Sequence, residues 1–281
     1  MDTRFWGTSG WTLLHLIASD TLTHQRRAAV KDWFDLLEYV LPCKYCRASF
    51  HDYMQVQPLT DSVITSPATF GRWLYDIHNR VNAKLRAQGL LMTADPSWGS
   101  VRSLYAAKHK GLCKGTPLIG WDFLTSIAYT TPDRKTKSTP MSDVPDDTRD
   151  LTFAQRNRYN LLTRAERLTA LEAWWRLLPQ VLPCDLWRSA WNSALVSVGS
   201  AIPLADGREA MMRWIWKVEA AVCQGLSCPT PHASKAAMCS EVAAYESACS
   251  VVKKGKTCRA FRKARRRAYQ TRRRRKGVAF L

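Results

Sequence analysis

Two groups of residues carry types and spacings suited to chemistry. The first is Cys43-Lys44-Tyr45-Cys46, which directly follows Pro42 and stands where a helix should begin. Unpaired backbone N–H groups and the positive end of the helix dipole stabilise a thiolate at such a position. Placement of this kind pulls a thiol from about 8.5 into the range of about 3.5–7.5. With two residues between them, the sulfurs can close a small ring that opens by thiol–disulfide exchange. The same four residues also fit half of a zinc site, although no second CxxC and no matched His pair follows at zinc-finger spacing.

The second group is His78-Asn79-Arg80-Val81-Asn82-Ala83-Lys84-Leu85. His78 and Asn82 are four apart and share a helix face, with Val81 beside them. A lone histidine on such a face is commonly a satisfied core residue. Here two amides join the imidazole on an otherwise apolar helix, which points to a polar ligand.

The elements needed to position these groups are helices. Apolar residues recur at helical spacing and no alternating stretch stands out. Trp11, Leu14, His15 and Ala18 share one face of a first helix. Trp33, Leu36, Leu37 and Val40 mark a second, closed by Pro42, and a third starts at Cys43 and carries Phe50 and Met54. A fourth runs from about Pro67, a residue favoured in a first turn, through Phe70, Trp73, Leu74, Ile77, Val81 and Leu85. A short fifth covers Ser97 to Lys108. A Thr/Pro/Asp/Ser-rich stretch at about 130–150 reads as a linker or surface loop.

The second half echoes the first. A shift of 110 places Gly10-Trp11 on Gly120-Trp121, and Leu14, Ile17 and Ala18 on Leu124, Ile127 and Ala128. A shift of 141 gives twelve identities over 53 ungapped positions, among them Leu41-Pro42-Cys43 on Leu182-Pro183-Cys184, Arg47 on Arg188, and Trp33 and Trp73 on Trp174 and Trp214. Composition alone would give roughly three. These identities point to an internal duplication, with the 31 extra residues of the second copy between its first and second helices.

The chain has 281 residues and a net charge of +19, unevenly spread. Residues 253–276 hold fourteen Lys and Arg and no acid, leaving 28 bases against 23 acids elsewhere. The simplest reading of this tail is a solvated basic segment. It also suits nonspecific nucleic-acid binding through counterion release or nuclear import. Apolar runs stop well short of the roughly 20 residues of a membrane span. The start shows no signal-peptide pattern, so the chain is expected to keep its thiols reduced. Of nine cysteines only Cys43 and Cys46 form a CxxC. Cys223 and Cys228 fit a shuttle pair, a structural disulfide or two buried thiols. Cys113 is a weaker shuttle candidate, and Cys239, Cys249 and Cys258 are spaced too widely to read.

Taken together, Trp11-x-x-x-His15, Pro42-Cys43-x-x-Cys46 and His78-Asn79-x-Val81-Asn82-x-Lys84-Leu85, in this order and spacing, resemble the Erv/ALR sulfhydryl oxidases over roughly residues 5–108. The resemblance implies an all-α fold: a four-helix bundle with a short fifth helix that binds FAD (1–110), then a degenerate helical copy (111–252) and the basic tail (253–281). It implies that Cys46 lies against the flavin and that Cys43 exchanges with a dithiol substrate. Gly7, Thr8, Trp11, His15, Tyr45, His78, Asn79, Val81, Asn82, Lys84 and Leu85 are implied FAD contacts, with Trp98 and Tyr105 closing the site. The implied activity forms disulfides in protein dithiols and reduces O2 to hydrogen peroxide. Thr8 and Arg86-Ala87-Gln88 depart from the family's usual Arg and Gly-Lys-Pro, so a basic phosphate contact is either absent or supplied by Arg86.

In the second copy Thr125, Trp187, Glu219, Ala220 and Cys223 replace His15, Cys46, His78, Asn79 and Asn82. This is the pattern of a pseudo-oxidase domain that pairs with the first, as an alternative to a homodimer. By analogy such a chain belongs to a large DNA virus, in virions and host cytoplasm or nucleus. The competing readings are a basic virion or nucleic-acid-binding protein with a vestigial oxidase fold, and a zinc-stabilised module.

Overall fold

The computed structural model describes residues 1–246 apart from 113, 115 and 137. The tail, Cys113, Cys249 and Cys258 therefore lie outside the described residues. Those described form helices and connecting segments, with no strand among them. In the first half these are α1 (Thr3–Ala18), α2 (His24–Asp35), α3 (Leu37–Val40), α4 (Lys44–Val56), α5 (Pro67–Ala87) and α6 (Trp98–Leu112). The second half contributes α7 (Trp121–Tyr129), α8 (Phe153–Arg158), α9 (Arg164–Val181), α10 (Asp185–Val198), α11 (Arg208–Gly225) and α12 (Lys235–Ala243).

Side-chain caps set the helix starts. The Asp2 carboxylate accepts the Arg4 N–H (3.0 Å), and Ser66 accepts the Thr69 N–H (3.2 Å) just ahead of Pro67. Each cap satisfies a backbone donor that the first helical turn leaves unpaired. The single second helix expected over Trp33–Val40 is in fact broken at Leu36. There Tyr39 N–H bonds to Leu36 O at 3.0 Å, a three-residue closure that tightens the turn and separates α2 from α3.

One continuous apolar core runs through both halves, because α1 packs along α7 and α2 along α9. The closest approach uses two glycines. A Cβ on Gly10 would lie 3.1 Å from the Phe123 ring, and one on Gly120 would lie 2.8 Å from Leu13. Under the shift of 110, Gly10 corresponds to Gly120 and Leu13 to Phe123, so these are one contact made twice with the roles exchanged. Such reciprocity is what a two-fold axis requires. Trp33 and Trp174, equivalent under the shift of 141, are fully buried and stack on each other at 4.8 Å.

The shared Leu-Pro-Cys and Arg also have a structural role. Arg47 Nη1 donates to Leu41 O at 2.8 Å, and Arg188 Nη1 donates to Leu182 O at 2.5 Å. In both halves a guanidinium thus satisfies the carbonyl exposed where the chain turns into the next helix. The Thr/Pro/Asp/Ser-rich stretch at 130–150 is irregular, yet it docks on the first half: Lys44 Nζ donates to Thr139 O (3.2 Å) and Asn160 Nδ2 to the same oxygen (2.8 Å).

Gly120 sits at φ +122° against Leu13, so Gly120→Ala combines a disfavoured backbone with a clash. The expected cost is about 1–3 kcal/mol, read as a lowered denaturant midpoint. Gly111→Ala, in α6 with open space around it, should be neutral or stabilising by up to about 1 kcal/mol.

Candidate functional site

Cys43 is the N-cap of α4. Its Sγ accepts the Cys46 N–H at 3.4 Å, so the sulfur occupies the place where an Asp or Ser oxygen caps other helices. Neither cysteine of the pair is in a disulfide. Hydrogen bonding to Cys43, then burial, pushes the Cys46 thiol well up, while Lys84 and the N-terminal ammonium act in the opposite direction. Cys43 is the sulfur at the helix start, where the dipole favours a thiolate.

Exposure runs against the simplest division of labour. Cys43, the implied partner of substrate, is only 2% exposed, and Cys46 is half-buried. Both chain neighbours of Cys43 are tied down. The Met1 amino group donates to Pro42 O at 3.0 Å, and Lys44 binds the Thr139 and Pro140 carbonyls at 3.2 and 3.5 Å.

One turn of α5 brings Lys84 toward this pair. Its ammonium reaches Tyr45 O at 3.5 Å and also bonds Ser49 Oγ. Further up α5, His78 meets α1 and α6 in an aromatic slot. His78 stacks on Trp11 at 3.8 Å with rings 9° apart, and His15 stacks on Tyr105 at 4.5 Å. His15 Nε2 lies 3.2 Å from His78 Nδ1. Burial and, for His15, the neighbouring imidazole lower the two histidines to about 3 and about 4. They are neutral rings near pH 7, suited to stacking and hydrogen bonding and not to neutralising a phosphate.

A cavity of about 200 Å³ adjoins the slot, lined by His15, Ser19, Gly71, Trp98, Arg102 and Tyr105 among others. On the outer side of α5 a more open groove of about 470 Å³ is lined by Gln57, Asn79, Arg80, Arg86 and Asp95 among others.

The structure thus gathers Trp11, His15, His78 and Tyr105 at one end and Cys43, Cys46, Tyr45 and Lys84 at the other. Val81 and Leu85 lie half-buried along the α5 segment between His78 and Lys84, and Gly7 is half-buried on α1. Three expected residues lie elsewhere, Asn79 among them in the outer groove. Thr8 is exposed, its carbonyl accepting the Thr12 hydroxyl at 2.8 Å. Asn82 donates to Asp95 Oδ1 at 2.7 Å, and Arg86, the substitute phosphate contact, is paired with the same carboxylate at 2.6 Å.

Sequence reasoning missed Asp95, Arg102, Ser19 and Gly71. Only Gly71 left a trace, as a glycine inside an apolar helix, where a Cβ would come within 3.2 Å of Trp98. Among the described residues no group of His, Cys, Asp or Glu could hold a metal ion, and no helix is long and apolar enough to cross a membrane.

At the second-half positions that the shift of 141 aligns with Cys46 and His78, the side chains are buried. Trp187, in the place of Cys46, is fully buried and donates to Thr116 O at 2.8 Å. Trp191 stacks on Trp121 at 5.8 Å, and Glu219, in the place of His78, is buried and bonded to His232 at 2.9 Å.

A dithiol at a helix start, with a cation beside it and an aromatic slot along the same helix, defines a helical thiol–disulfide protein with room for a planar ligand. Residues 8–98 match the Erv1 / Alr family model. Over 85 residues it is 36% identical to a probable FAD-linked sulfhydryl oxidase of Acanthamoeba polyphaga mimivirus, covering 29% of this chain and 59% of the relative. It is 32% identical over 88 residues to the mitochondrial FAD-linked sulfhydryl oxidase of Saccharomyces cerevisiae, covering 30% and 45%. A putative FAD-linked sulfhydryl oxidase of Invertebrate iridescent virus 6 is 28% identical over 92 residues, covering 30% and 83%. The chain spans about half the length of the first two of these relatives. No solved structure matches it.

Two outcomes follow from this geometry. Lys44→Ala releases the 139–140 segment, so Cys43 in the reduced protein should be alkylated several-fold faster; an unchanged rate would show that the segment does not cover it. The second concerns acid stability. Unfolded histidines titrate at 6.5, so between 6.5 and about 4 the unfolded chain binds more protons than the fold does at His15 and His78. Stability therefore falls as pH drops through that window. His78→Gln should flatten the decline, as read from denaturant midpoints between about pH 7 and 4.5.

Proposed function

We propose that the chain is an FAD-linked thiol oxidase that forms disulfides in protein dithiols, with O2 as the final acceptor and hydrogen peroxide as product. The observation that carries this reading is the Cys43–Cys46 dithiol at the α4 start, served by Lys84 from the same helix that builds the Trp11–His78 slot. The residues suit the cofactor. Neutral His15 and His78 with Trp11 and Tyr105 offer flat ring surfaces, while Lys84 and Arg80 offer cationic charge not tied to Asp95. FAD bound along α1 and α5 would supply the two-electron acceptor and the reaction with oxygen.

The chain's own residues perform the exchange. With Cys43 and Cys46 joined, a substrate thiolate attacks Cys43 Sγ, and Cys46 leaves as a thiolate favoured by Lys84. The second substrate thiol attacks the mixed disulfide and releases Cys43. The substrate loses two electrons and two protons. The Cys43–Cys46 pair gains the two electrons and one proton, and the second proton passes to solvent.

The second half, in this reading, is a copy without flavin. The buried Trp187 and Glu219 at the aligned positions argue for that, and its α7 and α9 surfaces, packed on α1 and α2, supply the pairing face that these helices require. A basic structural protein with a vestigial oxidase fold would instead be colourless and inactive.

Cys43→Ser and Cys46→Ser should each abolish oxidation of a small dithiol while the purified protein keeps its yellow colour. Flavin content should be one per chain. Near-normal turnover in Cys46→Ser, or two flavins per chain, would overturn the respective assignment.

A further inference from the structure

Helix α11 ends in a turn that brings two more thiols together. Ser227 adopts φ +52°, its N–H bonds to Gln224 O at 3.1 Å, and Cys228 N–H bonds to Cys223 O at 2.9 Å. This pair of bonds around a left-handed residue is the Schellman motif, in which the side chains at the two outer positions pack on each other. Helix α5 ends in the same way. There Gly89 takes φ +65°, Leu90 N–H bonds to Leu85 O at 2.9 Å, and the outer positions hold two leucines. At the end of α11 both outer positions are cysteine.

The backbone bond between Cys223 and Cys228 keeps their Cα atoms within about 6.8 Å by standard bond geometry, inside the span of a disulfide. Both are free thiols and they hydrogen-bond to each other. Their exposure differs: Cys223 is 1% exposed and Cys228 is half-buried. Burial, the bond to Cys228 and the charge of Glu219 push the Cys223 thiol up to about 12. Cys228 is thus the reachable sulfur and Cys223 the sheltered one. The Glu219 carboxylate one turn back is faced by His232, and His232 by Glu241 of α12.

We propose that Cys223 and Cys228 form a second redox-active pair, which exchanges with small disulfides of the glutathione class. The Cys228 thiolate attacks the disulfide, one thiolate leaves and takes a proton, and a mixed disulfide forms on Cys228. Cys223 then gives up its proton and attacks Cys228 Sγ, expelling the second thiol. The pair loses two electrons and two protons, and the small disulfide becomes two thiols. The product ties the last turn of α11 covalently to the segment beyond Ser227. This exchange does not depend on FAD or on the Cys43–Cys46 chemistry.

The test uses the full chain, equilibrated with mixtures of reduced and oxidised glutathione, blocked and cut after lysine and arginine. The fragment 218–235 contains Cys223 and Cys228 and no other cysteine. With oxidised glutathione it should become lighter by two hydrogens, and reduced glutathione should reverse the change in the folded protein. Cys223→Ser should accumulate a glutathione adduct on Cys228, whereas Cys228→Ser should leave Cys223 unmodified. Two free thiols at every ratio would overturn the proposal. So would a bridge that reduced glutathione cannot open, which would be a static cross-link, or equal adduct formation at the two positions.

Discussion

The close crossing of α1 and α7 is the constraint on which the rest of the molecule depends. Gly10 and Gly120 let the two backbones approach until Phe123 and Leu13 fill the space that side chains would otherwise occupy. With one face fixed there, α1 turns Trp11 and His15 toward α5 and α6, where they meet His78 and Tyr105. The aromatic slot is therefore built on a helix whose other side is buried against the second half. A bundle made of the first half alone would leave that side, including Leu13 and Ile17, facing water.

Electrostatics divides the site into two ends. At the dithiol end, a helix start, Lys84 and the Met1 amino group favour negative charge on sulfur. At the slot end, burial removes charge from both histidines. Arg86, which could have linked the two, is neutralised by Asp95, which leaves Lys84 as the cation beside Cys46.

Much of this was legible in the sequence because it rests on local rules. Pro42-Cys43 at a helix start, the long apolar face of α5 and the i, i+4 pair of His78 and Asn82 all follow from helical periodicity and capping. Trp33 and Trp174, which the shift of 141 aligns, also stack on each other in the fold. What escaped depended on distance in the chain. Asn82 turns to Asp95 because a loop thirteen residues on supplies a carboxylate. Lys44, beside Cys43, is held by the carbonyls of a segment nearly a hundred residues away. The break at Leu36 is a local tightening that an unbroken apolar pattern conceals.

The stacked indoles have a consequence for how the molecule handles light. Trp33 touches Trp174, Trp174 touches Trp175, and Trp175 contacts both Trp191 and Trp214, while Trp191 continues to Trp121, with every step between 4.8 and 6.4 Å. Chromophores at such separations share excitation instead of absorbing independently. Ultraviolet emission and near-ultraviolet circular dichroism of this protein therefore belong to a six-ring array that crosses from one half to the other. When the halves part, Trp33 leaves the array, even if each half keeps its helices.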